Sequence, residues 1–523
     1  MKKILSLVLS SLLVFSVLAA AGCGNDGKNE TGTGNEGDVT TIRVDLHGWT
    51  PTINSTSTAG STAYNSPKYI AQEFEELYDN KVKIEWVRDK DLSLSREDVG
   101  QYFSLAIENK SCPSIAFTWG TTFQERGWYV DLTEYLNETN SYETAEDLKG
   151  KAWKESFEDY IWELDAIRTY DDKIVAIPLT LFAGSASCVL YNVENVKDYG
   201  FTDDANSMLG MNEPFNWDSY MELASAAVSD DQNNLLDANN YPYTASSWLM
   251  QFNLGPAYMS YVLDYEDPEK GKVDKNGDGS ISGQELLQAV VDGFFNPVTK
   301  EYARELLQSE KEYMSLLTDS NADATKWNDG SGVLKYDGSW VYTPEKNANR
   351  SFVWEMIPAP VQDNSEYTKD YVEWVSFDEA QPGVDLYLNV MRPGVTVDGT
   401  VDGEIDEDKL FYSVEFLKYL TTREANSAMI DEMNTSIGAV KGATLPMWLE
   451  ESNYIDCYFA KTDSVNGWPG GFTTSVSTQM DTVFSQWVSG TFSGDDNAFY
   501  EKWNELQVSG ARAMAESLGI TLQ

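Results

Sequence analysis

The sequence predicts an α/β protein built of two or more lobes. Three observations point there. The chain has 523 residues, too many for one hydrophobic core to enclose. Hydrophobic residues make up 42% and aromatics 13%, which suits packed interiors and excludes a disordered chain. Short apolar runs of period two alternate along the chain with longer runs of helical spacing, the pattern of strands whose sheet is covered by helices on both faces.

The elements follow in order. Residues 1–22 stand apart: Lys2 and Lys3, an apolar run from Ile4 to Leu18, then Ala20, Ala21 and Gly22 before Cys23. That is the layout of an export signal. The small-small-Cys ending resembles a bacterial lipobox with Cys23 as the lipidated residue, although Ala20 stands where Leu is usual. Residues 23–40 form a flexible tether, since Asn25 to Asp38 is Gly, Asn, Glu and Thr with almost nothing apolar. Structure begins with "TIRVDLHGW", a strand by the alternation of Ile42, Val44 and Leu46. "SPKYIAQEFEELYDN" is helical by Ile70, Phe74 and Leu77, and "KVKIEWV" alternates again, so the three make a parallel βαβ unit. "QYFSLAIENK" reads as a helix, "SIAFTW" as a strand, and "ERGWYVDLTEYL" leads into a helix. "KIVAIPL" and "SCVLYN" are β-like, and a helix surrounds Trp217 to Val228. Helices are expected at Glu285 to Phe295 and Lys300 to Leu317, and strands at "SGVLKYDGSW", "FVWEMIPAP" and "VDLYLNVM". The remainder reads as mostly helical, in "LFYSVEFLKYLTTREANSAMIDEM", "TQMDTVFSQWV" and "AFYEKWNELQVSGARAMAESLG". No repeat of fixed period is present.

Several of these segments, in this order, resemble the extracellular solute-binding proteins of ABC importers, in the carbohydrate-binding branch that includes maltose-binding protein. "PSIAFTWGTTFQERGWYVDLTEYL" resembles that family's Pro-Asp-Ile segment, with Ser114 in place of Asp. "KIVAIPLTLFAGSASCVLYNVENV" resembles the Ile-Pro to Leu-Tyr-Asn entry into the second lobe. "EPFNWDSYMELA" is similar to the Pro-x-Thr-Trp-Asp-Glu helix start, with Asn216 for Thr. "SGVLKYDGSW" resembles the Gly-x-Trp strand, and "FLKYLTTREANSAMIDEMNTSIGAVKGA" the Phe-x-x-Tyr-Leu-Thr helix pair, with Ala439 for the common Pro. The resemblance implies a two-lobed periplasmic-binding-protein-like fold with three crossing segments and a ligand cleft between the lobes. By this analogy one lobe holds residues 41–181 plus 390–446 and the other 182–389 plus 447–523. It also implies a monomer without enzymatic activity. That protein would be tethered by lipid to the outer face of a bacterial membrane, and would deliver a carbohydrate to ABC transporter permease subunits.

A pyranose offers apolar C–H faces and a rim of hydroxyls, so its site needs flat aromatic platforms and polar partners. Trp49 stands just beyond the first strand, at the carboxyl end that faces the cleft in open α/β sheets. Trp119 ends "FTW", next to the family's stacking position, here Thr118. Trp340 matches the family's stacking Trp, with Asp337 nearby as a hydroxyl acceptor. Trp468 and Phe472 in "NGWPGGF" lie near a helix start that supplies a platform in the family, and Trp248 is a further candidate. Glu85, Asp45 and His47 are weaker ones; His47 is the only histidine.

"DKNGDGSISGQE" carries oxygen ligands at the positions of a calcium loop: Asp274, Asn276, Asp278, the Ser280 carbonyl, Ser282 through water, and Glu285 as a bidentate carboxylate. Gly279 stands at position six, where the turn needs it, and Ile281 at eight points inward. Pro268 and Gly271 precede the loop where a sensor would have a regular helix, and no second complete loop exists, so Ca2+ is expected as a structural staple. Asp398–Lys409 has Lys409 where the bidentate Glu belongs and reads as a turn.

The formal charge of −47 repels phosphate backbones and excludes nucleic acid as a partner. Three cysteines beyond Cys23, an odd number, give no disulfide framework; Cys112, Cys188 and Cys457 read as buried free thiols. A surface glycoside hydrolase is the enzymatic rival, but no motif marks a carboxylate pair among 84 acidic residues and no zinc site is visible. A dockerin-like module would carry two calcium loops in tandem. The same fold binding a peptide or a polyamine is the remaining alternative.

Overall fold

The computed structural model describes residues 39–46, 66–87, 96–118, 120–164, 166–169, 171–182, 187–199, 214–229, 235–237, 249–264, 273–275, 277, 281–317, 324–434, 436–462, 468–469, 474–492 and 495–523. Residues 1–22, Cys23 and the tether lie outside them. Thr40–Gln523 forms one compact unit. Among the described residues no helix is long and apolar enough to cross a membrane.

A six-stranded sheet has the order β11-β4-β10-β3-β1-β2. Its strands are β1 (Thr40–Asp45), β2 (Val82–Trp86), β3 (Ile115–Ala116), β4 (Ala176–Leu181), β10 (Val384–Val390) and β11 (Ile437–Gly438). The βαβ expectation holds, because β1 lies parallel to β2 with Ile42 opposite Ile84 across the helix Ser66–Leu77. β3 is parallel to β1, while β10 runs antiparallel to β3 and β4, and β11 antiparallel to β4. Every residue of β4 is buried, as a central strand covered on both faces requires. β2 alternates buried and exposed, as an edge strand does. Glu75, buried on the first helix, accepts the Ile84 N–H at 2.7 Å and Lys83 Nζ at 2.8 Å, which covers that edge.

A four-stranded sheet has the order β6-β7-β5-β8. It contains β5 (Ser187–Asn192), β6 (Leu235–Asp237), β7 (Leu334–Gly338) and β8 (Trp354–Pro358). β5 is antiparallel to β7 and β8, and β6 parallel to β7. A third, two-stranded sheet pairs β9 (Val372–Val375) with β12 (Phe459–Thr462). This pair was not legible in the sequence: β12 lies in the stretch read as mostly helical, and four residues are too few for a period to declare itself.

The long helical run after Leu410 is two helices, Glu407–Leu420 and Arg423–Met433. Two threonines divide it. Thr421 Oγ1 donates back to the Leu417 carbonyl at 2.7 Å, and Thr422 Oγ1 caps the next helix by accepting the Ala425 N–H at 3.2 Å. The chain thus passes from the first sheet to the second between Leu181 and Ser187, and returns at β10. It leaves again after β11 for the helix Met447–Glu451, where Trp448 packs on Tyr342, their ring centres 5.8 Å apart.

Candidate functional site

The carboxyl ends of β1, β2, β3 and β4 lie on one edge of the first sheet, where the opposed strands β10 and β11 begin. In the second sheet β7 and β8 end, and β5 begins, on a common edge; Ser187 pairs with Gly338 and Cys188 with Pro358. Six residue steps join Leu181 on the first edge to Ser187 on the second. An extended chain covers at most about 3.6 Å per step, so roughly 20 Å bounds the separation of the two edges there. Open α/β sheets hold ligands outside the carboxyl ends of their strands, the side on which these two edges lie.

Trp340 stands at the second edge, in the 3-10 turn Ser339–Val341 that follows β7. Its indole lies across Gly338: a Cβ built there would be 2.1 Å from Cη2 and 2.2 Å from Cζ2. Gly338 itself is extended, with φ −101° and ψ 161°. The ring, not the backbone, therefore demands glycine, and the ring is half-buried.

Asp337 is placed beside Trp340 but not as the open acceptor expected from sequence. It is 7% exposed, its Oδ2 is 3.1 Å from Lys335 Nζ, and its Oδ1 accepts the Gly338 N–H at 2.8 Å. Lys335 also reaches Glu345 at 3.0 Å, and Glu345 takes Arg350 at 2.7 Å and Trp327 Nε1 at 3.0 Å. Asp337 is the end of a buried charge network that braces the Trp340 turn.

Trp468, too, is buried rather than open. It is 4% exposed, edge-on to Phe295 at 5.1 Å, and pressed on Gly255 so closely that a Cβ there would meet its own Cβ at 2.7 Å. A stacking platform needs an open face, and this ring has none. Trp49, Trp119, Trp248, Phe472 and His47 lie outside the described residues. Thr118 is fully buried, donating to Asn389 Oδ1 at 2.7 Å, with Tyr129 Oη at 2.8 Å. Asp45 is buried at the end of β1, and Glu85 faces outward with Arg43 at 3.4 Å.

Sequence reasoning missed one polar group on the first edge. Asp385, at the start of β10, accepts from Ser436 Oγ and from Thr180 Oγ1, the latter at 3.2 Å. Burial pushes its carboxyl above the usual range, against the opposing pull of Ser436 and Thr180. The signal was present in "VDLYLNVM": a carboxylate beginning an otherwise apolar strand asks what it serves.

Of the calcium loop, Asn276, Asp278 and Ser280 lie outside the described residues. Asp274 and Glu285 are buried, and Asp274 Oδ1 accepts the Gly277 N–H at 2.6 Å. Ser282 caps the helix Gly283–Val291; its Oγ accepts the Glu285 N–H at 3.1 Å, while Glu285 accepts the Ser282 N–H at 3.1 Å and the Lys275 N–H at 3.0 Å. Lys275, the loop's own cation, turns away to Asp292. Among the described residues no group of three or more His, Cys, Asp or Glu side chains is placed to hold a metal ion; Asp274 and Glu285 are buried carboxylates, a hard-oxygen donor type that suits a divalent cation. Asp398 accepts Thr400 N–H and Oγ1 within its own chain reversal, at 3.2 and 2.8 Å, as the reading of a turn requires. The three cysteines are free; burial raises the Cys112 and Cys457 thiols to about 12 and Cys188 well above its usual value, which makes them unreactive.

No protein-family model matches the chain, and no curated protein matches it in sequence. Solved structures do match. RafE from Streptococcus pneumoniae in its apo form is 11% identical over 92% of this chain and 100% of its own, with a TM-score of 0.51. A family 1 extracellular solute-binding protein from Bifidobacterium longum subsp. infantis is 13% identical over 91% and 100%, with a TM-score of 0.52. AcbH, a bacterial solute receptor, is 13% identical over 91% and 99%, with a TM-score of 0.53. The chain has the solute-binding-protein fold. In a solute-binding-protein fold the two strand edges described above, with the chain crossing between them, are the natural walls of a ligand site.

Proposed function

We propose that this protein is a lipid-anchored, extracytoplasmic sugar-binding component of an ABC importer. It captures a sugar or oligosaccharide, closes over it, and hands it unchanged to a membrane permease. The observation that carries the reading is the place of Trp340: an indole held by Gly338 at the carboxyl edge of the second sheet, within the fold of solute-binding proteins. The first lobe comprises residues 41–181 and 384–446, the second 182–383 and 447–523. The return crossing is drawn at Val384 instead of Val390, a choice supported by the pairing of β10 with β3 and β4 of the first sheet. Cys23 carries the lipid, and residues 23–40 hold the body away from the membrane.

The experiment is a binding panel on the mature protein, read by thermal shift and calorimetry. The panel comprises methyl β-D-galactopyranoside, maltotriose, xylotriose and cellotriose, with spermidine and a tripeptide as rivals. The galactoside is included because AcbH is described as having an exclusive preference for β-D-galactopyranose. Saturable one-to-one binding of a sugar that is recovered intact supports the reading. Binding of spermidine or peptide alone, or hydrolysis of the sugar, contradicts it.

Calcium completes the proposal. Asp274, Asn276, Asp278, Ser280, Ser282 and Glu285 would hold the ion, which relieves the repulsion of the carboxylates and fastens the start of the helix Gly283–Val291. Chelation is expected to lower the melting temperature and Ca2+ to restore it, at a midpoint that rises with the ion's concentration. Glu285→Gln should remove the response. Sugar affinity of the chelated but folded protein should stay within a few-fold, and complete loss of binding there would refute the staple.

A further inference from the structure

The first two passages of the chain between the sheets, and the residue that enters β11, meet at one carboxyl. Thr180 lies in β4, one residue before the chain leaves for β5, and Asp385 lies in β10, one residue after it has come back. Ser436 directly precedes β11, the last strand of the first sheet before the third passage. Thr180 and Ser436 both donate to Asp385 Oδ2. The Leu386 N–H donates to Thr180 Oγ1 at 3.2 Å, which ties β10 to β4 at the same place. Asp385 is also the extra residue of an irregularity in β10: Val384 pairs with Leu181 and Leu386 with Thr180, so Asp385 stands opposite no residue. Such a bulge re-aims a side chain, and bulges gather beside binding sites.

The other oxygen, Oδ1, accepts no hydrogen bond among the described residues, and no described Lys or Arg pairs with the group. The side chain is half-buried on the edge to which the strand ends point. It is tied by short links to Trp340. Ser436 is two residues from Asn434, whose Nδ2 donates to Thr343 Oγ1 at 3.0 Å, and Thr343 is three residues beyond Trp340.

We infer that Asp385 is a ligand-binding residue of the sugar site, its second oxygen accepting a hydrogen bond from a ligand hydroxyl. The inference rests on the sugar-binding reading and narrows it, because it requires a ligand with a hydroxyl donor at the crossing. A pin between three strands has no need of a carboxyl; serine or asparagine would tie Thr180 to Ser436 equally well. A carboxylate without a cation is costly to desolvate, and burial already raises this carboxyl above its usual range. A hydroxyl donor offsets that cost only when ligand is present. Because Asp385 joins the strands from which the chain leaves and to which it first returns, recognition of the hydroxyl and closure of the lobes become one event. An acceptor-only group also discriminates, since an analogue without the donor leaves the oxygen unmet.

The test uses the mature chain and whichever panel sugar the wild type binds. Asp385→Asn keeps the shape and can still join Thr180 to Ser436. It is expected to lower affinity by about tenfold to a hundredfold, the effect of losing a hydrogen bond to a charged group. The melting temperature should hold or rise. Monodeoxyfluoro analogues of the same sugar, in which fluorine cannot donate, give the second readout. One position should cost the wild type as much as the substitution does, and cost Asp385→Asn nothing further. If Asp385→Asn binds within twofold of wild type, or every fluoro analogue loses equally in both proteins, Asp385 is a strand pin and the inference falls while the sugar reading stands. If the wild type binds none of the sugars, the sugar reading itself falls and takes the inference with it.

Discussion

Gly338→Ala is expected to cost this protein both stability and its ligand. The added methyl would lie 2.1 Å from Cη2 of Trp340, a separation no pair of carbons tolerates. The backbone is extended there, so alanine brings no torsional strain and the collision is the whole effect. Overpacking of this kind costs about 1–3 kcal/mol when neighbours can shift. The neighbour that must shift is the indole, and if the indole is the sugar platform, affinity should fall with it. A central aromatic anchor is worth about 2 kcal/mol or more, roughly thirtyfold in Kd. Trp340→Ala should lose as much affinity by itself. In the double variant the collision is gone, so part of the stability lost by Gly338→Ala should return while affinity stays low. Chemical denaturation and calorimetric titration of the three variants decide it. A Gly338→Ala protein that binds sugar as tightly as wild type would separate Trp340 from the ligand.

The second large effect belongs to Glu345. This side chain is buried and receives Lys335 at 3.0 Å, Arg350 at 2.7 Å and the Trp327 indole N–H at 3.0 Å. Glu345→Ala leaves Arg350 and the Trp327 indole N–H without this acceptor and Lys335 with Asp337 alone. Breaking a buried ion pair from one side costs about 3–5 kcal/mol. Glu345→Gln can still accept from Trp327 and should cost less. The dependence on pH has a definite sign. Burial raises the Glu345 carboxyl, but the bond from Trp327 and the charge of Lys335 outweigh it, so the group is held below its ordinary value of 4.5. Its stabilisation is complete above that value and is lost as pH falls through the lower, folded one. The stability difference between wild type and Glu345→Ala should therefore be widest near neutrality and narrow below about pH 4. A difference independent of pH would mean that Glu345 acts by filling space alone.

Much of this architecture could be read from the residues. Strands whose alternation is long enough to declare a period, such as "TIRVDLHGW" and "VDLYLNVM", lie where the sequence puts them. The short strands β11 and β12 do not announce themselves, because pairing across the chain and not local pattern creates them. Trp340 was found from a motif, and its motif glycine proved to be its seat. Asp337 and Trp468 lie deeper than the sequence suggests, because a sequence does not show which side chain faces inward: the one is held by Lys335, the other by Phe295. Asp385 was passed over because its meaning comes from Thr180 and Ser436, which are 205 and 51 residues away in the chain.

The account stands or falls on two lobes that close around a sugar. Small-angle scattering from the mature protein, with and without saturating cognate sugar and with Ca2+ present throughout, measures this most directly. The expected result is a smaller radius of gyration and a shorter maximum dimension on saturation, reversed when the sugar is dialysed away. Superimposable profiles at a concentration where calorimetry shows full occupancy would contradict hinge closure.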